Sequence, residues 1–239
     1  MVTKYNFKTV PYDHQKEALT VSWDKHSYAL FMEMGTGKTK VLLDNIGALR
    51  SLNLINGALI IAPKSVYTVW YHTEIPKHLN IEYDMMLWKS TTSRQKLLDF
   101  MEKPSIKLKI FVINVEAFSS DKGSFWAEEF CKRHTNLIAV DESTCVKNYQ
   151  AKRTKNIIKL RKYSNYRRIL SGFPTPKNPI DLYTQCNFLD PKHLGFNSIV
   201  AFRNRYCHFE TLYLGGRQIN VPVGFTNLAE IEAKLKNFA

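Results

Sequence analysis

The sequence is poor in cysteine, in long apolar runs and in acidic residues. Its cysteines show no Cys-x-x-Cys spacing and no matching pair of histidines, which argues against a disulfide framework and against a zinc site. They are Cys131, Cys145, Cys186 and Cys207. The longest apolar runs, GALIIA at 57–62 and NLIAV at 136–140, are too short to span a bilayer, and the first residues lack the apolar centre of a secretory signal. We therefore expect a cytoplasmic or nucleoid-associated location, no secretion and no membrane partner.

What the sequence has in excess is positive charge. The 239 residues include 34 Lys and Arg against 21 Asp and Glu, which gives a formal net charge of +13. Hydrophobic residues make up 44% of the chain, a fraction that is typical of a folded protein and not of a disordered one. A positive excess of this size favours an anionic partner. Because the short apolar runs disfavour a membrane, we expect that partner to be nucleic acid.

Short apolar runs alternate with longer segments of helical period, which is the pattern of an α/β protein with a mostly parallel sheet. The predicted strands are 28–32, 58–62, 83–88, 109–114, 137–141 and 168–171, and the predicted helices are 38–49, 65–75, 93–102, 125–133, 151–161 and 179–188. After residue 190 the pattern changes to a helix at 198–206 and a hairpin at 211–221. We expect one doubly wound domain over 1–190 and a helical and hairpin extension over 191–239.

The segment LFMEMGTGKTK at 30–40 has the features of a phosphate-binding loop. A strand ends near its start, Gly35, Thr36 and Gly37 permit tight backbone curvature, and Lys38 and Thr39 then begin a helix. Backbone N–H groups of such a loop converge on phosphate oxygens, the lysine reaches the outer phosphates, and the hydroxyl can bind Mg²⁺. The segment predicts a nucleotide site.

The segment NLIAVDEST at 136–144 is a buried strand that ends in two adjacent carboxylates. Ligands bind at the carboxyl edge of open parallel sheets, so this end of the strand is a candidate catalytic position. Neighbouring side chains of a strand point to opposite sides, which allows the two acids different roles. We predict that Asp141 holds Mg²⁺ through water and that Glu142 polarises the attacking water.

Two further polar residues complete the predicted nucleotide site. Gln15, in PYDHQKEAL at 11–19, offers a carboxamide that suits the N7 and N6 edge of adenine and would select ATP. Ser171 ends a strand in RRILSGFPTPKNPIDLY at 167–183, where its hydroxyl could respond to the acidic pair. Both are therefore predicted to lie near the phosphate loop.

These segments, in this order, resemble the motifs of the first RecA-like lobe of superfamily II helicases, specifically of the Swi/Snf-type DNA-dependent ATPases. PYDHQKEAL resembles the glutamine motif, FMEMGTGKT motif I, LIIAPKSVYTVW motif Ia, VINVEAF motif Ib, VDESTCVKN motif II, and ILSGFPTPKNPIDLYTQCNFLDP motif III with its following helix. The resemblance covers nearly the whole chain. It implies a three-layer RecA-like P-loop domain that binds ATP and Mg²⁺ and acts on double-stranded DNA.

The sequence departs from the family pattern in the motifs that couple ATP to DNA. Motif II usually reads Asp-Glu-Ala-His, and Ser143 and Thr144 stand at its last two positions. The usual second threonine of motif III is Phe173, which leaves Ser171 and Gly172 as the remaining polar and small residues there. We expect the Thr144 hydroxyl to bond toward Ser171, more weakly than the usual histidine or through water, so that Thr144, Ser171 and Gly172 are the candidate coupling residues.

Two regions are candidates for contact with DNA. In motif Ia, Lys64 and Ser65 follow a strand, and if Ser65 begins a helix its N–H and hydroxyl could bind a phosphate, cap the helix, or both. Asn114 of motif Ib keeps a polar group where the family usually has threonine.

The second region, 146–168, has nine basic residues and no acidic one, so we predict a basic outer face on its helix. Its candidate DNA-binding residues are Lys147, Lys152, Arg153 and Lys155.

The expected function is the ATP-binding lobe of a DNA translocase. The resemblance implies a second RecA-like lobe, in a longer chain or in trans, that supplies arginines to the ATP site, and no sequence for it follows Phe188. Hydrolysis by this lobe alone should be poor. Two alternatives stay open, a small P-loop phosphotransferase and a non-catalytic nucleic-acid-binding module with a degenerate ATP site.

Overall fold

The computed structural model describes residues 5–172 and 179–239, and its central element is a six-stranded parallel sheet. The strands are β1 Ser27–Phe31, β2 Gly57–Ala62, β3 Tyr83–Leu87, β4 Leu108–Asn114, β5 Asn136–Val140 and β6 Tyr166–Ser171. Their spatial order is β1-β6-β5-β2-β4-β3, and every neighbouring pair is parallel. All six strands therefore end at one edge, which we call the carboxyl edge.

Helices lie on both faces of this sheet. They are α1 Asp13–Ser22, α2 Lys38–Ser51, α3 Tyr67–Val69, α4 Ile75–His78, α5 Arg94–Glu102, α6 Asp121–Arg133, α7 Lys152–Lys159, α8 Ile180–Leu189, α9 Ile199–Tyr206 and α10 Leu228–Leu235. A π-helical turn, Trp70–Glu74, joins α3 to α4, and 3-10 turns cover Val115–Ser119, Ser143–Val146 and Leu160–Tyr163. Buried residues of α1, α2 and α4 form one apolar cluster, and those of α5 to α10 form the other.

The strands pack against both clusters because alternate side chains of a strand point to opposite faces. Along β2, Leu59 and Ile61 belong to one cluster, whereas Ala58 and Ile60 belong to the other. All of them are buried, which explains why β2 is a continuous apolar run. The predicted α/β class with a mostly parallel sheet is confirmed, in a three-layer arrangement.

The last part of the chain carries the predicted helix and hairpin. Strands β7 Cys207–Leu214 and β8 Arg217–Phe225 pair antiparallel through a turn in which Gly215 and Gly216 have φ angles of 58° and 78°. Phe238 then returns to the sheet, where its carbonyl accepts a hydrogen bond from the Ala29 N–H at 2.7 Å. The small C-terminal appendage is confirmed, and the boundary at residue 190 stays a prediction.

The predicted strand ends agree with the structure to within two residues. Two predicted helix starts are wrong. Helix α6 begins at Asp121, four residues before the predicted start at residue 125, and Ser65 lies in an exposed turn, so that α3 begins only at Tyr67. The Pro63 carbonyl accepts hydrogen bonds from the N–H groups of Val66 and Tyr67, so a turn closes before the helix begins. Phe173 and the rest of 173–178 lie outside the described residues, and within the described ranges no helix is long and apolar enough to cross a membrane.

Candidate nucleotide site and nucleic-acid cleft

Three predicted motifs follow the adjacent strands β1, β6 and β5. The phosphate loop, residues 32–39, comes after β1, Ser171 and Gly172 end β6, and Asp141 and Glu142 come directly after β5. Residues far apart in sequence therefore meet at one half of the carboxyl edge, which we call the nucleotide half. In parallel sheets this edge is where ligands bind.

The phosphate loop has a backbone that two glycines make possible. Gly35 and Gly37 have φ angles of 81° and 87°, in the left-handed region that favours glycine. Gly37 is the N-cap of α2 and gives it no side-chain hydrogen bond, so the first N–H groups of this 14-residue helix face the loop without a side-chain cap. Lys38 is buried, and its Nζ donates to the carbonyls of Met32 and Glu33, both at 3.0 Å. Thr39, the second residue of α2, is half-buried.

Gly172 lies directly against the phosphate loop. A Cβ atom at this position would be 2.8 Å from Cγ of Met34 and 3.5 Å from its backbone nitrogen, with Lys38 Nζ at 3.9 Å. Ser171 beside it is buried and pairs in register with Phe31 at the end of β1. The structure thus brings the predicted motif III residues into contact range of motif I.

Gln15 is buried in the first turn of α1 and faces the phosphate loop. Its Nε2 donates to the Thr36 carbonyl at 2.9 Å, and its Oε1 accepts from the Tyr12 N–H at 3.0 Å. Nε2 would be only 2.3 Å from a Cβ atom at Gly37, which explains why a larger residue does not fit there. The carboxamide therefore holds the loop in this conformation, and its contact with adenine stays a prediction.

Asp141 is nearly buried and is oriented through both carboxylate oxygens. Oδ1 accepts from the Glu142 N–H at 2.9 Å, and Oδ2 accepts from the indole Nε1–H of Trp70 at 2.8 Å. Burial raises the pKa of the Asp141 carboxyl, whereas the Trp70 hydrogen bond and the positive charge of Lys38 lower it. Glu142 has a left-handed backbone with φ 45° and is half-buried.

The segment after these acids is joined to α8. Ser143 and Gln185 are fully buried, and the Ser143 hydroxyl donates to Oε1 of Gln185 at 2.6 Å. Lys147 Nζ lies 3.5 Å from Oδ2 of Asp181, also on α8. Within residues 5–172 and 179–239 the structure shows no direct hydrogen bond from the Thr144 side chain to Ser171, and Ser143 is the hydroxyl that turns inward. A bond between Thr144 and Ser171 through water stays a prediction.

The nucleotide half fits a magnesium nucleotide chemically. An uncapped helix start and a buried lysine suit phosphate oxygens. The Thr39 hydroxyl and the Asp141 carboxylate are hard oxygen ligands of the kind that Mg²⁺ prefers, since Mg²⁺ is bound by one or two protein oxygens together with phosphates. The nucleotide half therefore contains both phosphate-binding groups and oxygen ligands that suit a magnesium nucleotide.

The other half of the carboxyl edge, formed after β2, β4 and β3, contains an open cleft of about 440 Å³. We call it the lysine cleft, because exposed Lys64, Lys89 and Lys122 line it. Lys122 Nζ donates to the Ser90 carbonyl at 2.6 Å, and Asn114 Nδ2 donates to Oε2 of Glu116 at 3.0 Å. The cleft also contains Tyr67, Trp88, Ala117 and Ser120. Lys64 and Asn114, predicted from separate motifs, therefore line one cavity.

The predicted basic outer face of 146–168 needs correction. Arg168 is fully buried, and its guanidinium donates to Oδ1 of Asn45 and to the Ser22 carbonyl. Lys152 forms an ion pair with Asp121 at 2.9 Å, and Lys147 has its acidic partner on α8. The segment has no acid of its own, but acids from other elements pair with two of its lysines. Among the predicted DNA-binding residues there, exposed Lys155 and half-buried Arg153 make no ion pair within the described part of the chain.

Sequence reasoning missed several contacts because they join residues far apart in the chain. It matched Trp70 to motif Ia without relating it to Asp141, which is 71 positions later. It did not single out Gln185, Lys89 or Lys122. A signal existed for the lysines only, since Lys89 directly follows the predicted strand 83–88 and Lys122 lies four residues after motif Ib. Nothing local indicates the Gln185 contact.

Comparisons with known proteins agree with this arrangement. The model of the SNF2-related domain matches residues 14–216. Protein CHROMATIN REMODELING 24 of Arabidopsis thaliana is 27% identical over 209 residues, and the ATP-dependent helicase FUN30 of Saccharomyces cerevisiae is 26% identical over 171 residues. These alignments cover 84% and 70% of this chain but only 19% and 14% of those proteins, so the chain spans less than a fifth of their length.

Solved structures resemble the fold. The Sulfolobus solfataricus SWI2/SNF2 ATPase core in complex with dsDNA superposes with a TM-score of 0.72 at 22% identity, over 98% of this chain and 45% of that one. The same core domain in a second structure gives a TM-score of 0.65 at 22% identity, over 85% of this chain and 39% of that one. The fold is therefore RecA-like, and with the family match over 14–216 the chain belongs to the SNF2-related domain family.

Proposed function

We propose that this chain is the ATP-binding lobe of a DNA-dependent ATPase that translocates on or remodels duplex DNA. One observation carries the proposal: a phosphate loop with an adjacent buried acid and an open lysine cleft lie side by side along one sheet edge. Such a layout lets one rigid sheet hold a nucleotide and a phosphate backbone at the same time. A phosphotransferase that acts on a small molecule has no need of the lysine cleft.

In this proposal the nucleotide half binds ATP with Mg²⁺. Backbone N–H groups from Gly35 to Gly37 and the Lys38 ammonium bind the phosphates once Lys38 leaves the two carbonyls that it contacts here. Thr39 and Asp141 hold the ion, which supplies charge neutralisation at the phosphates. Glu142 orients the attacking water.

The lysine cleft and its surroundings bind DNA. Lys64 and Ser65 follow β2 and Asn114 ends β4, where ammonium and amide groups are available to phosphate oxygens. Lys155 and Arg153 on α7 extend the positive surface, with a smaller part for Lys147 and Lys152, whose acidic partners reduce their net charge. The Sulfolobus solfataricus core, solved with dsDNA, supports a duplex as the partner.

Hydrolysis at a useful rate requires a second RecA-like lobe. The chain covers 45% of the Sulfolobus solfataricus core, which leaves room there for a second part. An arginine supplied across a nucleotide cleft is worth on the order of 10³-fold or more in rate. We therefore expect this chain to bind ATP well and to turn it over slowly.

The test measures three quantities on the 239-residue chain: Mg²⁺·ATP affinity, duplex DNA affinity as a function of salt, and ATP turnover with and without DNA. We expect nucleotide binding, salt-dependent DNA binding, and slow turnover that DNA increases. Phosphoryl transfer to a small acceptor would instead support the phosphotransferase. DNA binding without any ATP binding would support the non-catalytic module, and failure to bind either ligand would overturn the proposal.

A further inference from the structure

Trp70 is a buried side chain that reaches from the lysine-cleft half of the sheet edge into the nucleotide half. It follows β2 by eight residues, in the segment that begins with the exposed Lys64 and Ser65. Its ring is 2% exposed and packs in the cluster with Ile75 and Leu79. Its Nε1–H donates a hydrogen bond to Oδ2 of Asp141 at 2.8 Å.

The hydrogen bond from Trp70 holds Oδ2 of Asp141, the carboxylate oxygen that accepts no backbone hydrogen bond. Oδ1 of Asp141 is held by the adjacent Glu142 N–H, and the Asp141 N–H donates to the Ile61 carbonyl of β2 at 2.8 Å. Oδ2 accepts only from Trp70 among the described residues. Lys38, whose positive charge acts on Asp141, donates its hydrogen bonds to two carbonyls instead.

The local backbone also serves this contact. The segment Trp70–Glu74 is a π-helical turn, and the Ile75 N–H bonds to the Trp70 carbonyl across five residues. Such a turn adds one residue per turn relative to an α-helix and changes the direction of the side chains around it; π turns are frequent at functional sites. An apolar side chain of similar size would fill the same space, but it would offer no donor to the buried acid, whereas the indole does both.

We propose that Trp70 is a positioning residue for Asp141, which holds the carboxylate in the orientation that binds Mg²⁺. This inference rests on the proposed function, because it takes Asp141 as a ligand of the ion. Partners of this kind around a metal ligand typically change metal affinity by about 10- to 100-fold when they are removed. The residue does not touch the nucleotide in this scheme and acts only through Asp141.

The first experiment separates orientation from packing. Trp70→Phe keeps a buried ring and removes the donor, and Trp126→Phe, at a buried tryptophan of α6 in the other core layer, is the matched control. We expect Trp70→Phe to weaken binding of ATP in Mg²⁺ by about 10-fold and to leave ATP binding in EDTA unchanged. Trp126→Phe should change neither. In an Asp141→Asn background, Trp70→Phe should have no further effect, because the two residues act as one unit.

The second measurement needs no change at Trp70. The chain has four tryptophans, so its NMR spectrum contains four indole N–H signals, which single tryptophan substitutions can assign. We expect the Trp70 signal to move when Asp141→Asn is introduced without any ligand, and to move again when Mg²⁺·ATP is added to the unmodified chain. The Trp126 signal should stay in place.

Each outcome decides the inference. An equal loss of ATP affinity with and without Mg²⁺, additive effects in the double substitution, or a Trp70 signal that ignores Asp141→Asn would overturn it and leave Trp70 as a packing residue. If the unmodified chain binds no Mg²⁺·ATP, the proposed function fails and this inference falls with it. Unmodified binding with an unaffected Trp70→Phe chain overturns this inference alone.

Discussion

In the nucleotide half, Lys38 and Asp141 are buried and hydrogen-bonded to the protein, whereas in the other half exposed lysines line an open cleft. Lys38 and Asp141 are each 9% exposed and have partners for their polar atoms. Lys64 and Lys89 are exposed. Burial of a charge is costly unless it is paired, so the nucleotide half must have its geometry fixed when the chain folds. The lysine cleft has no such requirement and can adapt to a phosphate backbone of any sequence.

The sharpest test of this difference compares the same substitution, lysine to alanine, in each of the two halves. Lys38→Ala removes the ammonium that we assign to the phosphates and should weaken ATP binding by about 100-fold, or about 3 kcal/mol. DNA affinity should not change. Lys89→Ala is the matched control, because it removes the same charge from the lysine cleft and should leave the ATP affinity intact. Fluorescent-nucleotide titration measures both, and equal effects of the two substitutions would abolish the distinction between the halves.

The buried side of the comparison also predicts a stability effect. Ser143→Ala removes the hydroxyl that donates to Gln185 in a fully buried position, and we expect a loss of about 2 kcal/mol in the free energy of unfolding. Thr144→Ala, at the next residue, is half-buried and removes no hydrogen bond of the described structure, so it should cost much less. Urea denaturation gives both values. A larger loss for Thr144→Ala would mean that the family's usual coupling position is still in use.

On the open side, the expected effects concern salt dependence more than stability. The double substitution Lys64→Ala with Lys89→Ala should weaken duplex binding by about 10-fold and lower the slope of log affinity against log salt by about 2, one for each phosphate that the chain no longer neutralises. The melting temperature should be unchanged because both side chains are exposed. Binding isotherms at several salt concentrations measure the slope, and an unaltered slope would remove the lysine cleft from the DNA path.

The smallest effect distinguishes lysines within α7. Lys155→Ala should lower the salt slope by about 1, because Lys155 has no acidic partner in the described ranges. Lys152→Ala should lower it less, since Asp121 lies 2.9 Å from its Nζ. Asp121→Ala should then strengthen DNA binding slightly by freeing Lys152. If the two lysine substitutions lowered the salt slope equally, ion pairing within the protein would not control which basic residues reach DNA.

Local sequence was a good guide to the elements and a poor one to their contacts. The strands were predicted to within two residues because both faces of the sheet are covered, so that the central strand β2 and most of β5 are fully buried apolar runs. The phosphate loop was evident from two glycines whose left-handed backbone few other residues adopt. The start of α3 was misjudged, because the Pro63 carbonyl closes a turn first and a serine after a strand does not reveal that.

The basic segment gives the clearest limit. Nine positive residues without an acid predicted a uniform basic face, yet one arginine is buried among carbonyls and two lysines pair with acids from α6 and α8. Charge composition counts residues along the chain, whereas electrostatic interaction depends on distance in space. No local pattern could have named Asp121 or Asp181 as partners.

Local sequence is enough to predict the succession of strands and helices along the chain, the phosphate loop and the acids at the end of β5, since each depends on residues that are neighbours in the chain. The tertiary structure decided which side chains act together: Trp70 with Asp141, Ser143 with Gln185, and Lys64 with Lys89. These pairs come from elements that the sheet order β1-β6-β5-β2-β4-β3 brings into contact. Hydrogen bonds act over about 3 Å, so only the folded chain can select their partners.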